Sequence, residues 1–271
     1  MLPMAVLVIF AGGLSRRFGR DKCTYSLGGK RFIDRVAEAG RAVADRVYVA
    51  PGPNADLYKG VDVVEDSPRF SGPLAAVDTA LHHFDEEVFF APCDVPFITP
   101  AVFKGLAEAG GVFSTWVFPN GRVESTVFKA SPREARRALD FLAAHKRRRL
   151  DDLFRLSPTV FLSVVKHGVD PLWLYNVNTP EDLAVDRVEI RLQVFVEDVE
   201  LRWDTPPLAK WLEEGDVEAL KRELIRYVEL GLFSMAAHVA KDLAPVSPAY
   251  KVLSDVLYEA VEIEKGATRV N

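Results

Sequence analysis

Cations crowd the segment 12–22, where Gly12 and Gly13 follow an apolar run and are themselves followed by Arg16, Arg17 and Lys22. Glycines let a backbone turn sharply and bring its N–H groups against an anion, and arginine and lysine add the countercharge that a triphosphate needs. These residue types in this order make a phosphate site. The spacing is neither the Gly-x-x-x-x-Gly-Lys-Ser/Thr of a P-loop nor the Gly-x-Gly-x-x-Gly of a dinucleotide fold. Two carboxylates, Asp66 and Asp94, also sit directly after apolar runs.

The elements that must position these groups are legible as alternating apolar runs and helical patterns. Strands are expected at 6–10, 47–50, 61–64 and 88–91, with helices at 32–44 and 74–84. Such alternation implies an α/β fold, a Rossmann-like, doubly wound, mostly parallel sheet with helices on both faces. Ligands bind such sheets beyond the carboxyl ends of the strands, which gathers Gly12, Gly13, Asp66 and Asp94 at one rim. Further along, a helix at 99–109, a hairpin of strands 112–118 and 123–129 around Asn120-Gly121, a helix at 132–144, a strand at 159–165 and a short helix opening at Thr179-Pro180 complete this part.

Five motifs stand in series: Phe10-Ala11-Gly12-Gly13 through Lys22, Glu65-Asp66-Ser67, Gly72-Pro73-Leu74-Ala75-Ala76, Cys93-Asp94-Val95-Pro96, and Asn176-Val177-Asn178-Thr179-Pro180-Glu181-Asp182-Leu183. In order and approximate spacing they resemble the nucleotidyltransferases with a Rossmann-like fold, and among them the MobA-like molybdenum cofactor guanylyltransferases. The resemblance covers residues 5–184. It implies a Mg²⁺-dependent enzyme that transfers GMP from GTP to molybdopterin (the molybdenum cofactor) and releases pyrophosphate. It also assigns roles. Asp94 becomes the metal-binding aspartate, a hard oxygen ligand suited to Mg²⁺, and Lys22 the lysine on the phosphates. Arg16 and Arg17 take the arginine positions, Arg17 being the stronger candidate for catalysis beside Lys22 and Asp94. Phe10, Ala11, Gly12, Gly13 and Asp66 fall at nucleotide-contacting positions.

Asn176 and Asn178 match the motif near the pterin site. Asn178 either orients a substrate phosphate or Mg²⁺ or shapes the turn before Thr179. The run His145-Lys146-Arg147-Arg148-Arg149 reads either as solvated charge or as the basic loop beside the pterin phosphate. One departure concerns the base: the family's asparagine near the end of the second strand is Ala50 here, and Asn54 lies too far along to replace it. The neighbouring readings are a transferase that uses CTP or acts on a sugar or corrinoid phosphate, and a non-catalytic cofactor carrier.

Within the 271 residues, 49% are hydrophobic and the formal net charge is −5, so a buried core is affordable and no global basic field marks a nucleic-acid binder. No membrane span or leader is expected, and a cytoplasmic location follows. Cys23 and Cys93 are expected as small buried thiols at strand ends, not as a disulfide. His82-His83 reads as structural, and Ser125 and Ser131 lack the neighbours of a nucleophile. The organisation expected is a nucleotidyltransferase domain at 1–187, a connector of one or two strands at 188–205, and a helical appendage at 206–271 with helices at 206–214, 216–230, 233–243 and 248–264. The tail is expected to dock molybdoenzyme apoproteins or a second copy of the chain.

Overall fold

A computed structural model of the chain describes residues 5–13, 17–19 and 21–266. In chain order its elements are β1 (Val6–Phe10), the small hairpin β2 (Ser26–Leu27) and β3 (Lys30–Arg31), α1 (Phe32–Gly40), β4 (Arg46–Ala50), α2 (Pro73–His83), β5 (Val88–Pro92), α3 (Pro100–Glu108), β6 (Phe113–Val117), β7 (Val123–Ala130), α4 (Pro132–Ala144), α5 (Asp152–Leu156) and β8 (Thr159–Ser163). There follow β9 (Arg187–Glu189), β10 (Val199–Leu201), α6 (Pro207–Glu214), α7 (Val217–Glu229), α8 (Phe233–Leu243), α9 (Pro248–Ala260) and β11 (Glu264–Gly266).

Seven strands form one sheet in the order β10-β8-β6-β7-β5-β1-β4. β4, β1, β5, β6 and β8 point one way, and β7 and β10 run against them. The strand period of two divides each run between two cores. Val6 and Val8 of β1 meet Leu74, Val77 and Leu81 of α2, together with Leu139 and Leu142 of α4. Leu7 and Ile9 meet Ile33 and Val36 of α1 and Phe103 and Leu106 of α3. Burial on both faces explains why these strands read as unbroken apolar runs.

The strand expected at 61–64 is not formed; a single parallel bridge joins Val49 to Val63. Val61 and Val63 are exposed and only Val64 is buried, so one side of the segment stays uncovered. The first helix is also shorter than expected, ending at Gly40.

Residues 206–260 form four helices, as their pattern implies, but they are not held by a connector alone. Leu220, Leu224 and Tyr227 of α7 and Met235, Val239 and Leu243 of α8 belong to the same core as Phe113, Phe128 and Phe154 of the sheet layer. The expected connector supplies β10, which pairs antiparallel with β8 at the sheet edge, and β9, which pairs with β11. No helix among the described residues is long and apolar enough to cross a membrane.

Candidate functional site

β1 is buried until it reaches the rim, where Ala11 donates its N–H to the carbonyl of Ala50 at 2.8 Å and holds the following loop beside the end of β4. There the chain passes Gly12 against Gly52. A Cβ placed on Gly52, whose φ is +52°, would lie 3.0 Å from the Cα of Gly12. Side chains at either position would force the two backbones apart. Asn54 donates its amide to the Gly13 carbonyl at 3.2 Å. It braces the loop and does not line the nucleotide-sized cavity, so it is no stand-in for the base-contacting asparagine.

The far end of the loop is anchored by Phe18, 5% exposed and packed edge-on against Tyr25 and Phe32 at 5.2 and 6.1 Å between ring centroids. Arg17 beside it is exposed, with its guanidinium 3.5 Å from the Asn178 side-chain oxygen. Arg16 lies outside the described residues.

Lys22, Asp94, Asn176 and Asn178 converge from three parts of the chain. Lys22 pairs with one oxygen of Asp94 and lies 3.4 Å from Asn178 Oδ1. Asn176 donates its amide to the other Asp94 oxygen at 3.0 Å, and the Val177 N–H donates to the Asp94 carbonyl at 2.7 Å. Asp182 in turn accepts from the backbone N–H groups of Asn178 and Thr179 at 2.8 and 2.9 Å, so the Asn-Val-Asn-Thr-Pro segment is held as a clasp on Asp94. Asn178 shapes the turn through its backbone, and its side-chain oxygen faces Lys22.

A cavity of about 370 Å³ opens on this group. Of the residues singled out by sequence, Phe10, Gly12, Gly13, Lys22, Asp66 and Asp94 line it. Ala11 is 1% exposed and, like Arg17 and Asn178, does not line it. Burial raises the Asp66 carboxyl above its usual range. Gly52, Pro53 and Pro92 complete the walls and were not singled out; Pro51-Gly52-Pro53, a turn signal directly after a strand, was the cue in the sequence.

Two expectations are corrected here. Cys23 and Cys93 are joined in a disulfide, with Cα atoms 5.3 Å apart. The bridge ties the residue after Lys22 to the residue before Asp94, and sequence separation of 70 concealed a pair that the sheet brings side by side. The basic run is likewise not solvated throughout: Arg147 pairs with Asp152 and Asp242 at 2.8 and 3.0 Å and Arg149 with Asp242 at 3.3 Å, while Lys146 and Arg148 are exposed. His82, as expected, is structural, its Nδ1 lying 2.8 Å from the Asp78 carbonyl.

The sequence pattern of the MobA-like NTP transferase domain matches residues 7–159, more than half of the chain. The chain belongs to this family. The transferase is 30% identical over 186 residues to a protein of Pelotomaculum thermopropionicum named probable molybdenum cofactor guanylyltransferase, a match that takes in 67% of this chain and 91% of the relative. It is 29% identical over 184 residues to a protein of the same name from Geobacillus sp. strain WCH70, covering 65% of this chain and 94% of the relative. The crystal structure of molybdopterin-guanine dinucleotide biosynthesis protein A from Archaeoglobus fulgidus superposes with a TM-score of 0.54 at 22% identity, over 66% of this chain and 94% of that one, which establishes the shared fold. The helices from α6 onward lie beyond the matched family pattern.

Proposed function

We propose that this nucleotidyltransferase moves GMP from GTP to molybdopterin, the molybdenum cofactor precursor, and releases pyrophosphate. The observation that carries the reading is the convergence of Asn176 and Asn178 on Lys22 and Asp94, which line a cavity together with Gly12 and Gly13; the names of the relatives supply the acceptor. The substrate phosphate attacks the α-phosphorus in line, and the protein contributes positioning and charge. Lys22 places its ammonium where negative charge gathers on the departing pyrophosphate. Arg17 adds a second cation from outside the cavity.

The donor set suits Mg²⁺. Asp94 offers hard carboxylate oxygens and Asn178 an amide oxygen, and among the described residues no cluster of three or more His, Cys, Asp or Glu side chains forms a complete cage. One carboxylate completed by substrate phosphates and water is the usual way proteins hold this ion. Bound there, Mg²⁺ would neutralise phosphate charge.

Guanine is favoured over cytosine. Asp66 presents a carboxylate in the cavity wall, able to accept from the N1–H and 2-amino groups of guanine, whereas the corresponding ring edge of cytosine offers acceptors at N3 and O2. The combination Ala11-Gly12-Gly13 with Cys93-Asp94 is the guanylyl-like one. Pyrophosphate release measured with molybdopterin and each nucleotide tests this: GTP should turn over at least about tenfold faster than CTP, a difference of about 1.4 kcal/mol. Equal or faster turnover with CTP overturns the base assignment, and no turnover with either overturns the reaction.

A further inference from the structure

A second cavity, of about 310 Å³, shares no residue with the first and is lined in part by Val123 and Ser125 of β7. One wall comes from the family domain and the other from the helices beyond it. The register between β6 and β7 shifts between Thr115 and Trp116, so that Thr115 faces Phe128 while Trp116 faces Glu124. Residues 125–127 therefore bulge from the ladder, and Thr115 Oγ1 fills the gap by donating to the carbonyls of Glu124 and Val127 at 2.7 and 3.2 Å. A bulge re-aims side chains, and this one turns Ser125 into the second cavity. Glu124, one residue earlier, is 5% exposed and close enough to Asp94 for the two charges to interact, so the cavity sits one strand away from the nucleotide site.

The walls are fixed. The hairpin tip rests on the tail at Gly121 and Gly231, both with positive φ, where a Cβ on Gly121 would overlap the Gly231 carbonyl. Across the cavity Asp151 bonds Ser125 and pairs with His238 Nε2 at 3.2 Å, and His238 Nδ1 meets the Tyr258 hydroxyl at 2.8 Å. Ser125 bonds the carboxylate and not the imidazole, so nothing activates it as a nucleophile. Two donors remain. Ser234 is 8% exposed, and its oxygen accepts the Val123 N–H at 2.9 Å, leaving its proton without an acceptor among the described residues. Arg122 is half-buried and near enough to Glu124 for their charges to interact, but its guanidinium makes no salt bridge among the described residues. Of the two carboxylates that line the cavity, Asp151 is already paired with His238 and Glu262 is exposed.

We propose that this cavity is a second small-molecule site, built jointly by the family domain and the tail, which binds an anionic phosphate group through Arg122 and Ser234. A half-buried guanidinium with its fork open and a buried hydroxyl with its proton unclaimed are the donors such a group requires. The phosphate belongs to a separate effector, because the acceptor's own phosphate is the attacking group at the first cavity.

The probe is inorganic phosphate, titrated calorimetrically into the full chain carrying Lys22→Ala, which removes the main cation of the first cavity. Binding should persist in this background and weaken at least about tenfold on adding Arg122→Gln, with Arg122→Lys restoring part of it. The Arg122 variants leave the tail ion pairs intact, and an unchanged melting temperature without phosphate confirms folding. Binding that is absent, or indifferent to Arg122, overturns the site. With Lys22 present, a raised KM for molybdopterin or for GTP in Arg122→Gln overturns the effector assignment. Unchanged KM values alongside the lost phosphate binding assign it to an effector. Because the phosphate titration involves no nucleotide transfer, it stands or falls separately from the proposed reaction.

Discussion

Two clusters of charge lie within this fold and are built to opposite ends. At the nucleotide rim, Lys22 and Asp94 keep 15% and 12% of their side-chain surface exposed and open on a cavity. Between the sheet layer and the tail, Arg155 is fully buried, pairing with Glu223 at 2.7 Å, Asp152 at 3.0 Å and Asp242 at 2.6 Å, while Arg147 joins from the side. The second cluster is closed: its donors face carboxylates and no side remains for a ligand. The first is held in place by neighbours yet left open toward solvent. Charge density alone therefore does not mark a site; an opening onto a cavity does. The same contrast separates Arg147 and Arg149, which the tail's Asp242 engages, from Lys22 at the cavity wall.

Removing one member of the closed cluster should have the largest effect. Arg155→Ala leaves three buried carboxylates short of their countercharge, and a loss of roughly 3–5 kcal/mol of stability is expected from denaturant unfolding. A loss below about 1 kcal/mol would mean that the cluster is solvated and that the contrast fails.

Asp94→Asn should do the reverse, leaving the unfolding midpoint nearly unchanged while turnover falls on the order of a hundredfold or more. Near-normal pyrophosphate release at saturating Mg²⁺ would remove Asp94 from the chemistry. Lys22→Ala comes next: calorimetry should show GTP binding weakened about tenfold more than GMP binding, since the lost charge lies over the outer phosphates. Equal losses for the two nucleotides would place Lys22 elsewhere.

Acid should separate the two regions most gently. Burial acts to raise Asp242, but Arg155 and Arg147 beside it more than offset that and hold its carboxyl below the usual range; for Asp151 the offset comes from His238. Their stabilisation is therefore complete above about pH 4, the unfolded-state range, and is lost only as pH falls through the lower folded values. Asp66 is shifted upward by burial, so it protonates at a higher pH than they do. GTP affinity should consequently begin to fall, as pH is lowered, before stability does. Loss of both in the same pH interval would remove Asp66 from base recognition.

The alternation of apolar runs and the glycine-rich turn were legible in the sequence because strand pairing and phosphate loops impose local, periodic constraints. Gly12, Gly13, Asp66 and Asp94 could be placed at one rim for the same reason: parallel strands deliver their C-terminal ends together. Val61–Val64 was misread because a short apolar run carries no record of whether anything covers it. The Cys23–Cys93 bond, the pairing of Arg147 with Asp242, and the cavity that Ser125 shares with His238 all join residues distant in the chain. A sequence specifies such neighbours only through the packing of whole helices and strands, and no local pattern encodes them. What the residues determined was the sheet and the chemistry at its rim; only the tertiary structure decided which charges would be left open for a ligand and which would be closed off by the tail.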